Sequence, residues 1–195
     1  LSSARQRVYL SATLGEGGEL ERAFGRAGIL RLQQPDESTA PRYGRRFFVF
    51  PEFVENTDTT DLGRKIVAAT GKALILAPST EIAMRDASAL AQQGWPVWGI
   101  DQVAESMTTF AKLDHGVCGL AARYDGLDLP GDACRLVGLD GVPDQNNLQE
   151  RFLQSCARAG SALAARVRTR VVQGAGRCTR GPGDIAVVLI LGSDL

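Results

Sequence analysis

From residue 45 onward, short apolar runs alternate regularly with amphipathic stretches. The runs are FFVF (Phe47 to Phe50), ALILA (Ala73 to Ala77), PVWGI (Pro96 to Ile100), GVCGLAA (Gly116 to Ala122), CRLVGLD (Cys134 to Asp140) and AVVLIL (Ala186 to Leu191). Apolar stretches without polar alternation read as strands buried on both faces, since neither side of the pleat meets water. The intervening TDTTDLGRKIVAATG predicts a helix with an Asp/Thr start and a stop at Gly71. STEIAMRDASALAQQG predicts a second helix, capped by Ser79 and closed at Gly94. A third runs from about Gln102 to Ala111, and a long helical region begins near Asp144, bends about Gly160 and reaches about Arg180. Upstream the pattern is less regular: a strand in RVYLSATL (Arg7 to Leu14), a helical stretch from Glu19 to Arg26, a strand from Ile29 to Leu32, and a polar loop from Gln33 to Gly44.

Strands alternating with helices imply an α/β fold: a mostly parallel sheet covered on both faces, joined by right-handed connections. The expected division is an irregular N-terminal piece at 1–44 and one α/β domain at 45–195. In open sheets of this type ligands gather at the carboxyl ends of strands. That points to Pro78-Ser79-Thr80, to Arg123 through Gly131, to Gly141 through Asp144, and to the Ser11-Ala12-Thr13 turn.

Composition adds bounds. Apolar residues make up 44% of 195 and charged residues 23%, which excludes a disordered or collagen-like chain. No apolar run reaches the roughly 18 residues of a membrane span, and arginines interrupt the N-terminus where a secretory signal needs an apolar core. The expectation is a soluble cytoplasmic protein without a membrane partner; the missing initiator Met leads us to expect a fragment of something longer. Cys118, Cys134, Cys156 and Cys178 form no C-x-x-C pair, and His115 is the single histidine, so no metal site is expected and the thiols read as reduced and partly buried.

The zero net charge conceals a segregation. Between Arg151 and Gly183 stand seven arginines and no carboxylate, whereas the stretch from Asp101 to Asp144 is acidic. Arginine suits phosphate through its planar fork, and codon usage in a GC-rich genome accounts for the excess equally well. Two segments carry more than loop residues. ARYDGLDLPGDA (Ala122 to Ala133) sets Asp125, Asp128 and Asp132 among Gly126, Pro130 and Gly131 after a buried strand, a polar turn or a ligand-orienting one. In QGAGRCTRGPGD (Gln173 to Asp184), a continuous helix would put Gln173, Arg177 and Arg180 on one face. Such a face is either a phosphate fork or a solvated basic helix end.

LSATL (Leu10 to Leu14), LAPS (Leu76 to Ser79), YDGLDLPGD (Tyr124 to Asp132) and the Q-x-x-G-R-x-x-R spacing of Gln173 to Arg180 occur in the order of superfamily 2 helicase motifs III, IV, V and VI. The chain therefore resembles the C-terminal RecA-like domain, the second motor domain, of the XPD/DinG-type DEAD/DEAH helicases, over most of its length from Tyr9 to Leu191. The resemblance implies a RecA-like three-layer α/β/α fold and an ATP site shared with an N-terminal motor domain of the same polypeptide. That domain would hold most of the Mg2+ coordination. Arg177 and Arg180 match the arginines that reach the triphosphate, with Gln173 as the leading glutamine and Gly126 and Asp128 facing the nucleotide. Ser11 and Thr13 match the motif that couples hydrolysis to strand movement; Ser79 and Arg123 would contact single-stranded DNA, or RNA.

The departures are equally definite. No G-x-x-x-x-G-K-[ST] loop and no D-E-A-H-like tetrapeptide occurs, and Asp125 stands where that group usually carries Glu. The expectation is thus half of a DNA helicase or translocase serving the nucleoid, inactive as an isolated piece. A non-catalytic RecA-like interaction or nucleic-acid-binding domain is the alternative. Another doubly wound nucleotide binder would call for the G-x-G-x-x-G that is absent.

Overall fold

The computed structural model describes residues 44–121, 129–141 and 160–192, together with 6, 8, 9, 21, 24, 25 and 27–30. The chain divides into two compact units, Leu1–Ala40 and Pro41–Leu195. In the first unit Glu21 and Phe24 are helical, as the sequence suggests, but Val8, Tyr9, Ile29 and Leu30 lie in no strand. Two expected strands are corrected at those positions. Val8 and Leu30 are strongly exposed, so neither has a sheet face to bury. What Tyr9 finds instead is the ring of Phe24, 4.4 Å away between centroids.

The second unit is a six-stranded sheet in the order β1-β6-β5-β2-β4-β3. Its strands are β1 (Arg45–Val49), β2 (Lys72–Ala77), β3 (Val97–Trp98), β4 (Gly116–Ala121), β5 (Leu136–Asp140) and β6 (Ile185–Leu191). Every pairing is parallel. The described helices are α1 (Thr59–Thr70), α2 (Thr80–Leu90), α3 (Ile100–Lys112) and α4 (Gly160–Ala175).

The helix boundaries follow local chemistry. Asp58 caps α1 by accepting from the Asp61 amide at 2.7 Å, and Gly71, at φ 77°, turns the chain out of it. Ser79 caps α2 by accepting from the Ile82 amide at 3.2 Å. That helix closes at Ala91 rather than at Gly94, because Ala91 already leaves the helical region at ψ 143°. Gly94, at φ 80°, instead serves the turn into β3. Within α3, Ser106 departs from helical geometry and caps the last turn through its hydroxyl, which accepts from the Thr109 amide at 3.2 Å.

Strand residues alternate between two cores. Leu74, Leu76, Cys118, Leu120, Val137, Leu139, Val188 and Ile190 face one core, where Val103 and Phe110 of α3 and Ala175 of α4 cover them. Ala73, Ile75, Val117, Leu136 and Leu189 face the other, under Val67 of α1 and Ala87 and Leu90 of α2. The layers are therefore helix, sheet, helix. Because all strands run one way, the sheet has an edge of strand starts and an opposite edge of strand ends.

Candidate functional site

The arginine segment does not continue the last helix. α4 ends at Ala175, and the chain tightens through successive turns: Gly176 N–H donates to the Val172 and Gln173 carbonyls, Arg177 N–H to Gly174, and Thr179 N–H to Gly176. Gly174 and Gly176 supply the reason, since each weakens a helix by about 1 kcal/mol relative to Ala. The expected single face of Gln173, Arg177 and Arg180 is thereby corrected. Arg177 is buried and Arg180 is exposed.

Asp184 shapes the turn. Its carboxylate accepts from the Arg180 and Gly181 amides, both at 2.7 Å. Those amides, Gly181 first, hold its pKa below the ordinary aspartate value. The Asp184 carbonyl then accepts from the Arg45 amide at 2.8 Å, which ties the turn to the start of β1. Asp184 therefore binds the backbone, and no side-chain pairing with an arginine is needed to explain its place. The sequence signal was Gly181-Pro182-Gly183-Asp184 ahead of an apolar strand, a turn pattern that does not reveal which amides its carboxylate takes.

A second segment joins this turn from far away in sequence. The Leu129 amide donates to the Arg177 carbonyl at 3.0 Å, and the Val187 amide to the Arg135 carbonyl at 2.8 Å. Gly131 approaches so closely that a Cβ there would stand 3.4 Å from Asp184 Oδ1. Asp132 pairs with Arg135 at the surface. The tail of YDGLDLPGD and the arginine turn thus meet at the edge of strand starts. Arg177 and Arg180 stand before β6, not after a strand, and Gly131, expected at a strand end, stands before β5.

Ser79 occupies the opposite edge, after β2. Nearby, Arg85 clamps two carboxylates, with Nη2 at 3.0 Å from Asp140 Oδ2 and 2.8 Å from Asp86 Oδ1. Burial first, and then Asp86 beside it, push the Asp140 carboxyl up to about 7. A cavity of about 220 Å3 opens here, with Glu52, Arg85, Asp86 and Asp140 in its lining. The sequence reading missed this cluster, because Arg85 and Asp140 stand 55 positions apart. Ser11, Thr13, Arg123, Gly126 and Asp128 lie outside the described residues, as do Asp125 and Cys156. Gln173 is partly buried near the end of α4. Among the described residues no group of three His, Cys, Asp or Glu side chains is placed to hold a metal, and no helix is long and apolar enough to cross a membrane.

The sheet order and its two helical layers have a counterpart among solved structures. An XPD helicase superposes on 80% of this chain at 16% identity with a TM-score of 0.58. The chain has the fold of a helicase RecA-type domain. It spans 33% of that helicase's length. A Pyrococcus furiosus Hef helicase domain aligns over 68% of this chain and 24% of its own, also at 16% identity, with a TM-score of 0.39. No protein-family model and no curated protein matches the sequence. In this RecA-type domain, the amino edge of the sheet carries the arginine turn and the carboxyl edge carries Ser79.

Proposed function

We propose that this chain is the second motor domain of an ATP-dependent DNA helicase or translocase, lending Arg180 to a nucleotide site completed by another motor domain. The observation that carries the reading is the union of two distant segments at one sheet edge. The Leu129 amide bonds the Arg177 carbonyl and the Val187 amide the Arg135 carbonyl, which joins the segment before β5 to the arginine turn and the start of β6, with Arg180 exposed. A fold shared with an XPD helicase supports it.

The residues present fit a triphosphate in a limited way. Asp184 already fills the amides of Arg180 and Gly181, so those amides are engaged and recognition falls to the Arg180 side chain. Its planar fork suits phosphoryl oxygens and their growing charge. The turn's one carboxylate is committed to backbone, so Mg2+ coordination would come mainly from the partner domain. When bound, ATP supplies the phosphoanhydride whose cleavage by water is the reaction. Arg177, buried one turn earlier, keeps the segment in place, with Gln173 behind it at the end of α4. Gly126 and Asp128 would face the same nucleotide. Ser79, whose hydroxyl oxygen caps α2, keeps its O–H proton to donate to a nucleic-acid phosphate at the other edge. Arg123, Ser11 and Thr13 would extend or couple that track.

The burial of Arg177 also favours a second reading, a RecA-type interaction domain in which the arginines serve structure alone. The whole protein distinguishes them. Arg180→Ala should lower kcat by roughly 10³ while single-stranded DNA affinity stays within about twofold, and Lys should rescue poorly. Hydrolysis spared with strand binding weakened would move Arg180 to the nucleic-acid track. Neither quantity moving would leave the interaction domain as the function.

A further inference from the structure

The amino edge of the sheet holds a buried cation, Lys72. It opens β2 and shares the strand face of Leu74 and Leu76, so its side chain enters the layer under α3. Lys72 is only 8% exposed. Its Nζ donates to the Ala111 carbonyl at 2.8 Å, in the last turn of α3. Among the described residues it makes no ion pair.

The helix end accounts for part of this arrangement. A helix C-terminus carries about half a negative charge, and the Ala111 carbonyl takes one of the N–H donors of the ammonium. About half a charge and the other donors remain, in an interior where charges are ordinarily paired.

Beside them lies space. Lys72 lines an open cavity of about 370 Å3 together with Thr70, Lys112, Asp114, Asp132 and Arg135. That volume falls in the small-molecule range of about 300–1,000 Å3. Arg135 pairs with Asp132 at the surface. Lys112 and Asp114 are exposed, and among the described residues neither is in an ion pair. The lining therefore sets Lys72, Lys112 and Arg135 against Asp114 and Asp132, an excess of positive charge. The cation with the least access to water is one of those left without a partner.

We propose that this cavity binds a small phosphate-bearing ligand, with Lys72 as its buried anchor and the exposed Lys112 and Arg135 beside it. A phosphate offers acceptor oxygens to the remaining Nζ donors and a charge in place of the missing counter-ion. Near neutral pH it is also partly protonated, with a second pKa of about 6, so its O–H can donate to Asp114 or Asp132. Sulfate has no proton to give and meets those carboxylates as a like charge. Arg177 and Arg180 are not in this lining, and the inference does not rest on the nucleotide reading.

The test titrates the intact, isotope-labelled chain with inorganic phosphate at constant ionic strength and follows its amide signals by NMR. Saturable shifts are expected at residues 70–72, 111–114 and 132–135, with sulfate binding about tenfold more weakly. Lys72→Met keeps the apolar stem and should weaken phosphate about tenfold or more, as loss of a hydrogen bond to a charged group does. Lys112→Met, at an exposed site, should weaken it about threefold and decides where Lys72→Met fails to fold. No saturable shift, equal affinity for sulfate, or unaltered affinity in the folded variants would overturn the proposal. Shifts confined to residues 176–184 would overturn it too, by sending phosphate to the arginine turn.

Discussion

Gly119 and Gly138 flank the same residue of β2, since Ile75 pairs with Gly119 on one side and Gly138 on the other. A methyl at Gly119 would stand 2.5 Å from the Ala83 carbonyl oxygen, 2.9 Å from its carbon and 3.1 Å from Ala87 Cβ. Two of those atoms are helix backbone and cannot rotate aside, so α2 would have to lift from the sheet. A methyl at Gly138 would meet Ile75 Cδ1 at 2.7 Å, the tip of a side chain that can change rotamer. Replacing Gly by Ala in a strand gains roughly 0.5–1 kcal/mol from backbone entropy. Overpacking against a fixed neighbour costs about 1–3 kcal/mol, and the backbone clash puts Gly119 at the upper end. Gly119→Ala should therefore destabilise by about 2 kcal/mol, while Gly138→Ala stays within about 1 kcal/mol of neutral. With a urea slope of about 2 kcal/mol/M, the unfolding midpoint of Gly119→Ala should fall by about 1 M. Equal midpoints for the two variants would refute the reasoning that backbone contact, not volume, sets the cost.

Two further outcomes test the carboxyl edge. Asp140 binds its proton more tightly in the fold than in the unfolded chain, with its carboxyl raised to about 7. The unfolded state then ionises first, and stability should fall as pH rises from about 4 through 7. Asp140→Asn should flatten that slope in urea titrations at several pH values, and an unchanged slope would exclude the group. Ser79→Ala should cost about 1 kcal/mol through the lost cap. Ser79→Asp should keep the cap yet weaken single-stranded DNA binding in a filter or anisotropy assay, and unchanged affinity would remove Ser79 from the track.

The sheet was legible in the sequence because its strands are buried on both faces. ALILA and GVCGLAA have no polar alternation, and β2 is buried along its whole length. Cap residues placed α1 at both ends and α2 at its start. At the described residues Val8, Tyr9, Ile29 and Leu30 the expected N-terminal strands do not form, for the same reason the others read well. RVYLSATL has strand composition, but Val8 and Tyr9 join no ladder, and propensity decides little where no packing face exists. Helical spacing failed at Arg177 and Arg180 because two glycines end α4 first. The ends at which residues gather were beyond reach, since they depend on which strands lie adjacent. Asp86, Asp140 and Arg85 come together only because the Arg85 side chain reaches from α2 to Asp140 at the end of β5.

The placement of the two arginines bears on how such a domain can work at all. A parallel sheet with every strand fixed by neighbours is stiff along the strands, and here β2 leads from the buried Lys72 at one edge to the Ser79 cap just beyond the other. A site on the arginine turn and a site at the α2 cap therefore cannot touch the same small ligand. Any coupling between them must move the unit as a body or pass through its packed layers. The arginine turn is suited to the first route. It is tied to β1 by Asp184 and Arg45, to the segment before β5 by Leu129, and to β6 by continuity of the chain. A force applied at Arg180 is thereby distributed over three neighbouring strands rather than spent in bending a loop. Arg177 is buried in that turn and Arg180 is exposed, so the two charges of the segment are not equivalent.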